Sequence, residues 1–207
     1  ARWYQFKPAI PNKTSIPEQR NFGISRAEGD IIVFIDANCI PCEGWLTKLT
    51  APILSGKETM TAGSVSAANP KTRANLNNAD IKNDYLTSSP TINLAFKKSL
   101  WNDVGGFDES FLFGSDVDFT WRCCDAGNKI LFVREASVTH DWGSTADEFK
   151  RSFKYGKARA SLMLKHRHRF KELLSDNLYV TFYTAYFVGL PLTLLFWWYP
   201  LIILLLF

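Results

Sequence analysis

Ile31-Ile32-Val33-Phe34-Ile35-Asp36-Ala37-Asn38 is the stretch on which the fold assignment turns. From Ile31 to Ile35 it is β-branched or aromatic without a polar break, between Gly29-Asp30 and Asp36-Ala37-Asn38. A strand with one solvated face alternates polar and apolar residues, so a short unbroken run of this kind reads as a buried parallel strand. Just upstream, Ser15-Ile16-Pro17-Glu18 offers a capping hydroxyl with an early Pro and Glu, which predicts a helix running to about Ala27 and stopped by Gly29. A helix feeding a buried strand indicates an α/β fold.

Farther along, Glu43 to Ile53 predicts a helix with Trp45, Leu46 and Leu49 on one face, and Met60 to Ala67 predicts a strand. Thr91 to Phe96 alternates as a strand, Ser99 to Val104 forms a short helix ended by Gly105-Gly106, and Val117 to Ala126 forms a helix ended by Gly127. Lys129 to Val133 is a further strand. Alternating helices and strands predict a mostly parallel sheet with covered faces. Asn69 to Asp84 is polar and aperiodic, and reads as a mobile loop over the site.

From Thr145 onward, Phe149, Phe153, Gly156, Ala160 and Met163 recur at helical spacing, with Lys150, Arg151, Lys154, Lys157 and Arg159 between them. This basic amphipathic helix runs into Lys165-His166-Arg167-His168-Arg169, and residues 177–207 then carry no charge. The uncharged run exceeds the roughly 20 residues a membrane-spanning helix needs. Two regions follow: a globular domain over 1–170 and one or more membrane segments over 177–207. Basic residues flanking the tail place the globular part in the cytoplasm by the positive-inside rule. A basic helix could equally pack on a core with its charges solvated; nearness to the tail favours the membrane surface. The first residue is Ala and no secretory leader opens the chain, which reads as a chain cut at its amino end.

Of the 207 residues, 46% are hydrophobic and 21% charged, which suits one globular domain and excludes a disordered or collagen-like chain. A net charge of +4, concentrated ahead of the apolar tail, points away from a nucleic-acid partner. Cys39 and Cys42 form a C-x-x-C pair and Cys123-Cys124 an adjacent pair, but the gap between them is far longer than zinc-ribbon spacing. Reduced, buried thiols are the simpler reading.

Asp36 closes the buried strand, and ligands of open parallel sheets bind beyond the carboxyl ends of the strands. A carboxylate there can hold a hard divalent cation, or merely cap the next element. Asp116 and Asp118 follow the loop Gly106-Phe107-Asp108-Glu109-Ser110-Phe111-Leu112-Phe113-Gly114 at the head of a helix. They can stabilise the helix dipole, or one of them can act as a general base whose pKa the helix end lowers and an aromatic surround raises. His140 follows the last predicted strand, and becomes a ligand only if the fold brings it near Asp36.

Together these segments resemble the family 2 glycosyltransferases of the GT-A fold. Arg20-Asn21-Phe22-Gly23, Ala27-Glu28-Gly29-Asp30 and Phe34-Ile35-Asp36-Ala37-Asn38 are similar to that family's run from the helix before the metal-binding strand through its D-x-D motif. Asn93-Leu94-Ala95-Phe96, Val104-Gly105-Gly106-Phe107-Asp108 and Gly114-Ser115-Asp116-Val117-Asp118-Phe119 with Arg122 are similar to its acceptor-side region. The resemblance covers most of Ser15 to Arg159 and implies a GT-A-like, Rossmann-like α/β domain truncated at its amino end. It implies Asp116 as the base that deprotonates the acceptor hydroxyl. Asp36, Asn38 and His140 would hold a divalent cation, manganese or magnesium. Asp36, Asn38, Asn93, Asp118 and Arg122 would serve the substrates, Arg122 by bracing the acidic loop or approaching the diphosphate. Two positions depart from the pattern: Asn38 stands where the second Asp of D-x-D is usual, and Ser115 where a Glu usually precedes the catalytic Asp. An amide is a poorer ligand for a hard cation than a carboxylate, which weakens the metal site or shifts weight to His140.

The implied activity is inverting transfer of a sugar from a nucleotide-diphosphate donor to a saccharide or lipid-linked hydroxyl acceptor at the cytoplasmic membrane face. A membrane-tethered module that binds nucleotide-sugar without turnover is the alternative, and a nucleotidyltransferase is a third reading. The Q-x-x-R-W motif of processive relatives is missing, which favours single addition.

Overall fold

The computed structural model describes residues 3–8, 15–68, 84–142, 155–156 and 158–170. The chain divides into two compact units, Ala1–Ala158 and Arg159–Phe207. In the first unit the elements run α1 (Ile16–Arg26), β1 (Ile31–Ile35), β2 (Cys39–Pro41), α2 (Trp45–Leu54), β3 (Met60–Ala67), β4 (Tyr85–Leu86), β5 (Asn93–Lys97), α3 (Lys98–Asp103), α4 (Ser115–Asp125) and β6 (Ile130–His140). In the second, residues 159–165 are helical and Arg167–Arg169 form a 3-10 turn.

Helix α1 begins as its sequence predicts, with Ser15 Oγ accepting from the Glu18 backbone N–H at 3.3 Å and Pro17 in the first turn. The described strands form one sheet in the order β1-β5-β3-β6-β2, with β4 also pairing β6. Only the β3/β6 pair is parallel; β5 runs antiparallel to both β1 and β3, and β2 and β4 run antiparallel to β6. The sheet is therefore mixed, which corrects the mostly parallel expectation. The apolar run of β1 has a different cause. Ile31 and Val33 pack with Leu49 and Ile53 of α2, while Ile32 and Phe34 pack with Ile24, Phe96, Phe107 and Phe119. Both faces are covered, and this demands apolar residues whichever way the neighbouring strand runs.

Strand β6 extends to His140, well past the Val133 end predicted for it, and His140 is its last residue. Its pairing with β3 is interrupted: Gly63 lies opposite Val133, and the next pair is Val65 with Val138. The detour over Arg134 to Ser137 takes carbonyls out of the ladder, and three of them find other donors. Ser64 Oγ donates to the Arg134 carbonyl at 2.9 Å, the Asn93 amide donates to Ala136 at 2.8 Å, and the Cys42 N–H donates to Ser137 at 3.0 Å.

Most of the predicted loop 69–84, residues 145–154 of the basic helix and the apolar run 177–207 lie outside the described residues. Among the described residues, no helix is long and apolar enough to cross a membrane.

At Gly63 an added Cβ would overlap the Ala136 carbonyl oxygen and the Asn93 amide, whereas at Gly23 of α1 it would meet nothing within 4 Å. Gly63→Ala is expected to cost about 2 kcal/mol or more, and Gly23→Ala to gain about 0.5–1 kcal/mol from helix propensity. Urea unfolding of the two variants checks both signs.

Candidate active site

Asp36 leaves β1 in a tight turn: its N–H donates to the Ile92 carbonyl at 3.4 Å and its own carbonyl accepts from the Cys39 N–H at 3.0 Å. That turn starts β2, whose Cys39 pairs with His140 at the end of β6. The pairing brings His140 Nε2 to 3.9 Å from Asp36 Oδ2, with the Asp36 side chain 44% exposed and that of His140 11%. The imidazole is held against Trp142, ring centroids 4.2 Å apart. Asn38 is exposed, and its carbonyl accepts from the Asp141 N–H at 3.2 Å. Ligand atoms about 2.1 Å from an octahedral cation lie about 3–4 Å from one another, so the Asp36–His140 spacing fits two ligands of one divalent ion. A carboxylate oxygen and an imidazole nitrogen also suit manganese or magnesium chemically, the imidazole favouring the former.

Asp116 sits in the first turn of α4, behind Gly114 in the left-handed conformation. Its Oδ1 accepts from the Val117 N–H at 3.0 Å, and the residue is half-buried. The loop ahead of it is fixed by aromatic packing and by one amide. Phe107 stacks on Phe119 at 4.4 Å and meets Phe34 edge-on at 5.8 Å, joining the loop to α4 and β1. Asn21 of α1 donates to the Phe107 carbonyl at 2.8 Å and accepts from the Phe107 N–H at 2.8 Å and from Trp101 Nε1 at 3.0 Å. Gly106, at φ 74°, is needed there, because a Cβ would crowd Trp101 and Asn21.

Arg20 joins the two halves. Its guanidinium donates to Ser115 Oγ at 3.1 Å and to Thr91 Oγ1, and lies over the rings of Phe34 and Phe107 at 5.9 and 5.5 Å. Burial pulls its pKa below the ordinary value, opposed by the negative charges of Asp116 and, more weakly, Asp36. Two of the three carboxylates singled out from sequence, Asp116 and Asp36, thus favour the charged form of one cation. Arg20 was visible in the quoted Arg20-Asn21-Phe22-Gly23 segment, but an arginine on a polar helix reads as solvated until the fold is known.

Three other predicted substrate contacts are committed to the framework. Asn93 is 1% exposed; its amide donates to the Ser64 and Ala136 carbonyls and its oxygen accepts from Trp45 Nε1 at 2.9 Å. The side chain of Asp118 is fully buried and pairs with Arg122 at 2.9 Å. Arg122 also donates to the carbonyls of Val104 and Gly106, the latter at 2.6 Å, so it braces the loop ahead of Asp116. The four cysteines are free, but only Cys123 is buried, which narrows the expectation of buried thiols. Burial raises the Cys123 pKa to about 12, whereas Cys42 is half-exposed and its pKa is lowered, chiefly by a hydrogen bond from Ser137.

Residues 11–129, more than half of the chain, match the family model for glycosyl transferase family 2. The chain belongs to this family. Among curated proteins, it is 25% identical over 169 residues to glycosyltransferase AglE of Haloferax volcanii, covering 78% of this chain and 56% of AglE. It is 26% identical over 171 residues to the pre-mycofactocin glycosyltransferase of Mycobacterium tuberculosis, covering 75% of this chain and 36% of that protein. The chain thus spans little more than half of the first relative and about a third of the second. Among solved structures, it is similar to S. aureus TarS in complex with UDP-GlcNAc, with a TM-score of 0.52, 19% identity, and coverage of 65% of this chain and 42% of that one. The shared fold is the GT-A-like α/β arrangement of a mixed sheet with flanking helices.

The family match includes Arg20, Asp36, Asp116 and Arg122 and ends before His140. Because Arg122 neutralises a fully buried carboxylate in this family 2 chain, Arg122→Met is expected to destabilise it by about 3–5 kcal/mol. Thermal unfolding of the variant beside the wild type measures the loss.

Proposed function

We propose that this family 2 chain belongs to an enzyme that moves a sugar from a nucleotide-diphosphate donor to a hydroxyl of a saccharide or lipid-linked acceptor, with inversion, at the cytoplasmic face of a membrane. The observation that carries the reading is the placement of His140 3.9 Å from Asp36 at the sheet end, with Arg20 hydrogen-bonded to Ser115 beside Asp116 at the head of α4. Asp36 and Asp116, from separate segments of the matched region, both favour the charged form of Arg20, which supports reading them as parts of one site. The neutral readings of Asp36 as a cap and Asp116 as a dipole partner give no reason for this convergence.

Each residue then has a task. Asp116, half-buried and fixed by the Val117 N–H, takes the proton of the acceptor hydroxyl as its oxygen bonds to the anomeric carbon. The bond from that carbon to the diphosphate breaks on the opposite face, and its electron pair leaves with the diphosphate. Asp36 and His140 would hold a divalent cation, with Asn38 as a further ligand. When bound, the cation offsets the charge of the departing diphosphate. Asn21, Arg122 and the aromatic cluster keep the loop ahead of Asp116 in place, which supplies the preorganisation such a displacement needs. The membrane setting draws its support from the uncharged run 177–207 and the basic stretch before it. A binding module without turnover remains the rival because Asn38 gives the cation an amide where a carboxylate would bind it more strongly.

In the complete protein, Asp116→Asn is expected to lower sugar transfer by about 10²–10⁴-fold with little change in donor affinity. Equal loss of transfer and donor binding would remove Asp116 from the role of base. Donor binding without turnover by the wild type would favour the binding module.

A further inference from the structure

The positive charge of the chain is gathered in one short stretch. Residues 159–170 hold four basic side chains, Arg159, Lys165, Arg167 and Arg169, and neither Asp nor Glu. The whole chain has 24 basic and 20 acidic residues, and removing these four basic ones leaves equal numbers, so the net charge of +4 is that of this stretch. Two large apolar side chains stand among the cations, Leu164 at 69% and Phe170 at 44% exposed. Between them Lys165, Arg167 and His168 are exposed as well.

The backbone sorts the stretch into two sides. Leu162 and His166 are buried one turn apart, and the His166 N–H donates to the Leu162 carbonyl at 2.8 Å. A helix turns about 100° per residue, which aims Leu164 about 200° away from Leu162 and off the buried side. The helix stops at His166, where φ is −109° and ψ 57°, and Arg167–Arg169 continue as a 3-10 turn. Exposed Leu and Phe interleaved with Lys and Arg are the composition of a segment that lies in a bilayer interface.

We propose that the exposed side of residues 159–170 docks on the surface of an anionic bilayer, with Leu164 and Phe170 entering the interface while Lys165 and Arg167 meet lipid phosphates. The docking rests on the membrane reading of 177–207 for the nearness of a bilayer, though not for the character of the surface. Asn177 stands eight positions after Arg169, at most about 28 Å of extended chain or about 12 Å of helix. With 177–207 in the membrane, residues 159–170 lie within that reach of it. The mixture of groups selects the lipid surface over other anions. A nucleic acid or free phosphate would meet the cations and leave Leu164 and Phe170 in water, whereas a bilayer interface takes both. An uncharged bilayer would take only the apolar pair. Seating of this stretch therefore depends on lipid charge and ionic strength, a dependence that an uncharged span does not confer.

The experiment is hydrogen exchange over residues 159–170 of the complete protein in detergent, in phosphatidylcholine nanodiscs, and in nanodiscs that also contain phosphatidylglycerol. With phosphatidylglycerol present, amides from Leu164 to Phe170 are expected to exchange about tenfold or more slowly than without it, and high salt to narrow the difference. Arg167→Glu is expected to remove most of the difference and Leu164→Ser part of it. Both side chains are exposed, so the fold should survive either change, which thermal unfolding checks. Equal exchange in the two kinds of nanodisc overturns the docking. So does equal protection by an RNA oligonucleotide in detergent, which would assign the surface to nucleic acid. Release of the protein from membranes by an alkaline wash would remove the span and leave the surface testable by cosedimentation with vesicles of the same lipids, where binding that needs phosphatidylglycerol supports the docking and no binding overturns it. No arm reads turnover, so failure of the sugar-transfer reading is seen separately.

Discussion

The side chain of Asn93 ties the framework to the site. Where β6 leaves its register with β3, buried carbonyls would go unmet, and Asn93 answers two of them while Trp45 of α2 answers its own oxygen. Gly63 gives way to let the amide in. Once the detour is closed, β6 resumes pairing and carries His140 to the end of the sheet, opposite both Cys39 and Ala67. The short β2 returns the chain from Asp36 to that same end. A polar residue at the centre of the sheet is thus spent on geometry, and the geometry places an imidazole beside a carboxylate.

Charge is arranged with similar economy. Asp118 and Arg122 cancel each other beneath the loop, and the arginine spends its remaining donors on the Val104 and Gly106 carbonyls. Arg20 is treated differently, receiving only hydroxyls and aromatic faces, so its field reaches both Asp36 and Asp116. One arginine is engaged by a carboxylate and backbone carbonyls; the other meets only hydroxyls and aromatic rings. Their sequence neighbourhoods do not distinguish them; their partners do.

Much of this was legible before the fold. The Ser15 cap, the β1 run, the α2 face and the glycine stops each encode local structure, and the elements lie close to where those signals put them. Strand direction was not legible, because covering both faces of β1 produces the same apolar run beside an antiparallel neighbour. The detour in β6 was hidden for a related reason: it is stabilised by Ser64 and Asn93, distant in sequence from Arg134 to Ser137. Asp36, Asp116 and His140 could be singled out from position and resemblance. The bracing by Arg122 was one of the two roles the resemblance implied, whereas the uses of Asn93 and Asp118 could not be read, since only burial and hydrogen-bond partners separate a strut from a ligand contact.

Sugar transfer by the whole protein is the central claim, and its most direct test is the product formed. Membranes containing the complete protein would be given a panel of nucleotide-sugars with and without manganese or magnesium, and the released nucleotide identified. Metal-stimulated release of a nucleoside diphosphate from one donor is the predicted result. Release of pyrophosphate, or no release from any donor by folded protein with membrane acceptors present, would contradict it.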